Sequence, residues 1–293
     1  MKPAEFTYHR PRTVTDALGL LATLGDDVKL LAGGQSLGPM MNLRVARPSH
    51  VIDINDLSDL DSVNVHLDRI EIGSLVRHHR LATDPQIAAT CPILSAAAAS
   101  IGHYAIRQRG TIGGSMAHAD PAAQLPLIAV LLDAGIRIGS RNGSRTVDAQ
   151  SFFVSSLVTD LAEDELITSI EFPVFSGQSG WGIEVFAQRQ GDFAIVSVAA
   201  TVERSAAGVV KSLRLALGGT GVVPIRLTDA ELAAVGRAPD HALTEEISSI
   251  AAAAVTADDD ARIPVAYRRE LAATLTGRVF AAALQRAEGA SVR

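Results

Sequence analysis

Cysteine is nearly absent from this sequence. The one cysteine among 293 residues, Cys91, excludes a disulfide framework, a four-cysteine zinc site and a self-contained iron–sulfur cluster. Aromatic residues make up only 4%, so an aromatic beside a candidate site carries more weight than usual. No basic run occurs, and Lys+Arg 26 against Asp+Glu 32 leave a net charge of −6, which offers no electrostatic footprint for nucleic acid. Long apolar runs are missing too. The longest, residues 125–134, breaks at Asp133 and falls well short of the roughly 20 residues that a membrane-spanning helix needs. The start, Met1-Lys2-Pro3-Ala4-Glu5-Phe6, lacks the apolar core of a signal peptide. A soluble, cytoplasmic protein is the expectation. With 47% apolar residues the chain reads as globular, and its length suits two domains at roughly 100–200 residues each.

Periodicity gives an outline. Val14, Ala17, Leu18, Leu21 and Leu24 recur at helical spacing, with Thr15 and Asp16 as expected caps. Strands are expected at 28–32, 51–54, 70–72, 136–138 and 166–172, and helices at 92–103 and 122–132. Ser176-Gly177-Gln178-Ser179-Gly180 has linker composition and marks a domain boundary. Beyond it, strands at 183–189, 194–204 and 209–217, turned by Gly191-Asp192 and Ala207-Gly208, predict an antiparallel meander. Helices are expected at 229–235, 244–257 and 267–287, the last with Leu271, Leu275, Val279, Ala283 and Leu284 in one stripe.

Two glycine-rich segments dominate the first half: Ala32-Gly33-Gly34-Gln35-Ser36-Leu37 and Thr111-Ile112-Gly113-Gly114-Ser115. Glycine pairs let a backbone turn through positive φ and approach a ligand closely. Successive free N–H groups then form a nest that favours an anion, and a following helix start adds its own. Two such turns could clasp a diphosphate from both sides. Taken singly, each reads more readily as just a tight strand connection. Neither has the lysine of a Walker loop or the glycine spacing of the Rossmann fingerprint. Gly218-Gly219-Thr220-Gly221 has the same composition and reads as a plain turn.

In combination these segments, with Ile106-Arg107 before the second and Asp120-Pro121 after it, resemble the FAD-binding medium subunit of molybdenum hydroxylases, the family of the carbon monoxide dehydrogenase medium subunit and the xanthine dehydrogenase flavin domain. The resemblance extends to Phe6-Thr7-Tyr8-His9-Arg10-Pro11, to Leu166-Ile167-Thr168-Ser169-Ile170-Glu171-Phe172-Pro173 and to Arg189-Gln190-Gly191-Asp192-Phe193-Ala194, and so covers nearly the whole chain. It implies an α+β fold: a two-subdomain FAD-binding domain of the vanillyl-alcohol-oxidase type over 1–175, parted near 55–60, and a C-terminal domain over 180–288 with a three-stranded antiparallel sheet and helices. It further implies FAD contacts at Ala32, Gly33, Gly34, Gln35, Ser36 and Leu37, at Thr111, Gly113, Gly114 and Ser115, and at Ile101 and Leu166. His118, Asp120, Gln124 and Phe193 complete the expected cofactor set. No catalytic acid or base and no metal ligand is expected in this chain. The implied partners are a large molybdenum-cofactor subunit and a small subunit with [2Fe-2S] clusters, in a dimer of heterotrimers.

Departures from the family pattern are specific. Gln124 stands where an acidic residue is common, Val185 where a lysine is common, and Phe193 where carbon monoxide dehydrogenases carry a tyrosine. Met116-Ala117-His118-Ala119-Asp120-Pro121 resembles hydroxylases of aromatic N-heterocycles more than carbon monoxide enzymes. Phe193 is open between flavin contact and core residue, and His118 between flavin edge and packing. Arg107 and Arg109 are open between cofactor, docking face and acceptor site. His78-His79 reads as a solvated helix face, Cys91 as a buried small hydrophobe and Asp258-Asp259-Asp260 as a solvated loop. Two other functions compete: a stand-alone flavin oxidase or dehydrogenase with His118 as acid–base group, and a scaffold that has lost its cofactor.

Overall fold

The computed structural model describes residues 1–175, 179–259 and 262–290. Three larger sheets, each with its own helices, follow one another along the chain. In the first, His50–Asp53 lies between Thr7–His9 and Val28–Leu31 and runs parallel to both. Helix Val14–Leu24 buries Ala17, Leu18 and Leu21 in the core beneath it. Its cap is Thr13, whose hydroxyl accepts the Asp16 amide at 3.1 Å. The expected caps, Thr15 and Asp16, lie inside the helix, because Thr13 has the extended backbone that aims an oxygen back at the first turn.

The second sheet has five antiparallel strands in the spatial order Val63–Val65, Arg69–Gly73, Leu166–Pro173, Gly135–Ser140 and Gly143–Asp148. Between Gly73 and Gly135 the chain makes a helical excursion that contains the second glycine segment. The helix expected over 92–103 ends as Pro92–Ala99, before Gly102 turns the chain at φ +46°. Every residue of Gln124–Leu131 is buried. The C-terminal sheet packs on this buried helix, and its Ala199 and Ala216 join the middle core. Cys91 sits in that core, fully buried.

The expected meander is present as Ser179–Ala187, Ala194–Arg204 and Val210–Gly218, and a two-residue strand, Ile225–Arg226, extends it to four. Helix Val265–Ala290 packs on it through Leu271, Leu275, Val279 and Ala283, and His241–Ala253 packs on that helix, burying Ile247 in the same core. Of the expected linker, Ser176, Gly177 and Gln178 lie outside the described residues, and so does Asp260. Ser179 and Gly180 belong to a strand instead. Gly180 packs so closely on the last helix that a Cβ would overlap the Ala283 carbonyl. Among the described residues no helix is long and apolar enough to cross a membrane.

Candidate functional site

The strand Val28–Leu31 leads directly into the first glycine loop. Gly34 takes φ +68°, a region that a Cβ strongly disfavours. The amides of Gly33, Gly34, Gln35, Ser36 and Leu37 donate to no other group among the described residues. Gln35 instead folds its side-chain amide onto the Gly33 carbonyl at 3.1 Å. Five successive free N–H groups form an anion nest of the kind expected.

Gly33 serves a different purpose. A Cβ there would overlap the Arg109 carbonyl oxygen and stand 2.8 Å from Gly110 Cα. The first loop therefore rests on the backbone that leads into the second segment.

The second segment departs from its expected form. It is the start of a capped helix, Ile112–His118, rather than a turn with free amides. The Ile112 N–H donates to Val76 at 3.0 Å, Gly113 to the Ser74 carbonyl at 2.9 Å, and Ser115 to the Thr111 carbonyl at 3.1 Å. Gly114 donates to Thr111 Oγ1 at 3.1 Å. What it brings to the slot is backbone without side chains at Gly113 and Gly114, and beside it a hydroxyl: Thr111 accepts from Gly114 and keeps its own proton to donate. Gly113 is helical and buried, and a Cβ would lie 2.5 Å from Ser74 Cβ. Close packing, and not positive φ, requires glycine there.

Ala32, Gly113, Gly114 and Leu166 line one narrow slot of about 90 Å³, together with Ser74 and the apolar side chains of Ile54 and Leu161. Ser74 Oγ is buried on its wall and has no hydrogen-bond partner among the described residues. A buried orphan hydroxyl of this kind is satisfied when a polar ligand enters. A wider, open depression of about 950 Å³ beside Arg10 and Arg141 includes none of the glycine segments.

His78 was expected in solvent and is buried beneath the second segment. Its Nε2 lies 2.9 Å from the Thr111 carbonyl oxygen and 3.0 Å from Ser115 Oγ. Burial pulls the imidazole down to about 4 against the raising effect of the Thr111 carbonyl, so it is neutral at pH 7. Room for the ring comes from Gly110, where a Cβ would stand 2.7 Å from it. Only His79 is partly exposed, packed edge-on against Tyr104 at 5.3 Å. Ser74 and His78 were both missed in the sequence; the signal for His78 is its distance contact with Gly110, which local spacing does not encode.

The other expected residues fall in two places. Ile101 is half-buried, and Arg107 holds its carbonyl at 2.8 Å, which commits that arginine to the Ile101–Gly102 turn. Phe193 is 65% exposed, which removes the core reading. Its hairpin touches the turn after Ile101: a Cβ on Gly191 would stand 2.6 Å from the His103 ring. His118 is half-buried at the last residue of its helix. Asp120 accepts the Ala122 amide at 2.9 Å, and Gln124 is buried at the start of the following helix, outside the slot wall. The Gly218–Gly219 turn, expected only to reverse the chain, also braces this region, since the Gly219 N–H donates to Pro121 at 2.8 Å. Among the described residues, no group of three or more His, Cys, Asp or Glu side chains is placed to hold a metal ion.

Two contacting glycine segments, five free amides and an apolar slot lie together and form a cradle whose chemistry favours an anionic ligand with apolar parts. Residues 4–175 match the family model of the FAD binding domain in molybdopterin dehydrogenase, and residues 181–283 match that of the CO dehydrogenase flavoprotein C-terminal domain. The chain is 36% identical to caffeine dehydrogenase subunit beta of Pseudomonas sp. (strain CBB1), over 98% of this chain and 97% of the relative. It superposes on a chain of carbon monoxide dehydrogenase from Hydrogenophaga pseudoflava with a TM-score of 0.95 at 35% identity, covering 98% and 99% of the two chains. For quinoline 2-oxidoreductase from Pseudomonas putida 86 the values are 0.93, 32%, 98% and 99%. The chain belongs to the FAD-binding medium subunits of the molybdenum hydroxylases. It is the flavoprotein component of an oxidoreductase, and its cofactor is FAD.

Proposed function

We propose that this chain is the electron-transferring FAD subunit of a cytoplasmic, heterotrimeric molybdenum hydroxylase. In this reading it takes electrons from the [2Fe-2S] clusters of a small partner subunit and passes them to an external acceptor. A large partner subunit carries the molybdenum cofactor, and the whole assembles as a dimer of heterotrimers. The observation that carries the reading is a division of labour: the chain builds a dinucleotide cradle, yet its one cysteine, buried Cys91, cannot ligate a cluster. The substrate class we assign to the complex is aromatic N-heterocycles. Met116-Ala117-His118-Ala119-Asp120-Pro121 supports this, as do the relatives named for caffeine and quinoline.

Residues 1–175, in two subdomains that part near 55–60, hold the cofactor, and 180–288 form the C-terminal domain. The two family-model ranges support this division, as do three hydrophobic clusters that follow it except for Leu75 and Leu166 in the first and Ala199 and Ala216 in the middle one. The amides of Gly33 to Leu37 hold the diphosphate, and Ala32 closes the strand end behind them. Thr111, Ser115 and Ser74 add hydroxyls, while Gly113 and Gly114 give close approach. Ile101, Leu166 and Phe193 offer apolar surface to the ring systems, with His118 at the rim. Neutral His78 adds no charge and anchors Thr111 and Ser115 from below. When bound, FAD supplies the redox chemistry, accepting electrons singly and passing them on singly or in pairs.

Pull-down of the chain from its native cell tests this function. The expected preparation contains two further chains and shows iron–sulfur absorption beside the flavin bands. A partner-free chain that oxidises substrate by itself contradicts it and establishes the stand-alone enzyme.

A further inference from the structure

A diphosphate clasped between two segments binds well only when their spacing is set beforehand. Here side chains that the sequence does not single out set it. Asn55 follows the strand His50–Asp53, and its Nδ2 donates to the Ala32 carbonyl at 2.8 Å, with the Leu31 carbonyl farther off at 3.3 Å. Its Oδ1 accepts from Arg77 Nη2 at 2.7 Å. The Nη1 of Arg77 donates to the Arg109 carbonyl oxygen, the atom on which Gly33 rests. The inner end is anchored as well. Asp53 accepts from Tyr8 Oη at 2.6 Å, from the Asn55 backbone at 2.9 Å and from Asn55 Nδ2 at 2.6 Å. Arg77 is half-buried, and among the described residues it makes no ion pair, so its guanidinium serves two neutral oxygens.

We propose that Asn55 and Arg77 are positioning residues for FAD, a single link that holds the strand end before the amide nest at a fixed distance from the segment leading into Thr111. The inference rests on the FAD reading above. The link joins the two carbonyls that flank the cradle, Ala32 and Arg109, and leaves the five nest amides free. Neither residue lines the slot. Without the link the segments keep their local structure, and FAD must impose their spacing as it binds.

The test uses the full chain stripped of FAD, titrated with FAD, with apo-protein melting measured alongside. Asn55→Ala and Arg77→Met are each expected to weaken FAD binding about 10- to 100-fold, the loss that corresponds to a hydrogen bond with a charged or buried partner. The double variant is expected to be no weaker than the weaker single, since both residues form one link. Arg77→Lys is expected to recover only part, because an ammonium reaches one carbonyl but lacks the planar fork that bridges two acceptors. At saturating FAD the visible spectrum should equal that of the wild type, because the link spaces the segments and leaves the ring environment alone. Should Arg77→Met fail to fold, Asn55→Ser and Arg77→Lys carry the same comparison. Wild-type affinity in folded variants, a lower apo melting point with no change in affinity, or multiplicative losses in the double variant would each overturn the link. A wild-type chain that binds no FAD would instead overturn the functional reading and this inference with it.

Discussion

Gly33→Val is expected to abolish FAD retention. The atoms that a Cβ would meet are backbone on the neighbouring segment: the Arg109 carbonyl, with its carbon at 2.8 Å, and Gly110 Cα at 2.8 Å. Backbone held by the Arg77 and His78 contacts cannot rotate aside as a side chain would. The first loop must then lift away from the second, which opens the cradle. Overpacking a close contact costs about 1–3 kcal/mol, and at about 3 kcal/mol the loss in affinity is of order 100-fold. Gly33→Ala should show the same direction with a smaller effect. Gly38 is the control, because a Cβ there meets nothing within 4 Å, and Gly38→Ala should retain FAD. Flavin content of the purified variants decides the matter; full occupancy in folded Gly33→Val would remove the first loop from the site.

Arg226→Met carries the largest expected loss of stability. Arg226 is about nine-tenths buried and pairs with Glu231 through two contacts, at 2.6 and 2.5 Å. Its remaining nitrogen reaches Asp133 at 2.8 Å and the Leu131 carbonyl at 3.3 Å, so one side chain ties the C-terminal sheet to the end of the buried helix Gln124–Leu131. Glu231 also accepts the Leu215 amide at 2.9 Å. Removing the guanidinium leaves an unpaired carboxylate in a site only 12% exposed, a change that costs about 3–5 kcal/mol. Replacing both partners, Arg226→Met with Glu231→Gln, should recover much of this, because no buried charge is then left unpaired and the glutamine oxygen still accepts the Leu215 amide. Denaturant midpoints of the single and double variants give the comparison. A single variant within about 1 kcal/mol of wild type would show that the pair does not join the two units.

What the sequence allowed to be read was local, and what it concealed was contact. The first loop was readable because a short apolar strand, Val28–Leu31, runs straight into Gly33-Gly34, and Gly34 takes the positive φ that glycine allows. The second segment was misread in form. Gly-Gly disfavours a helix on intrinsic propensity, yet Thr111 caps it and the Ser74 and Val76 carbonyls take its amides, so tertiary contacts override that preference. Gly180 shows the same limit. Beside Ser176 and Gly177 it looks like linker, but it is glycine because Ala283 leaves no space for a side chain. His78 was placed in solvent because a six-residue helix, His78–Thr83, is too short for periodicity to separate its faces. Asn55, Ser74 and Arg77 carry no motif of their own. Their importance comes from partners more than 20 residues away, Ala32 for Asn55, Gly113 for Ser74 and Arg109 for Arg77.

The FAD cradle proposed above is made by this chain's residues alone and needs no partner. The most direct measurement is the visible absorption of the purified full chain after incubation with FAD and removal of the excess, with the released cofactor quantified. Flavin bands and one FAD per chain are expected. A folded chain that retains no flavin would contradict this.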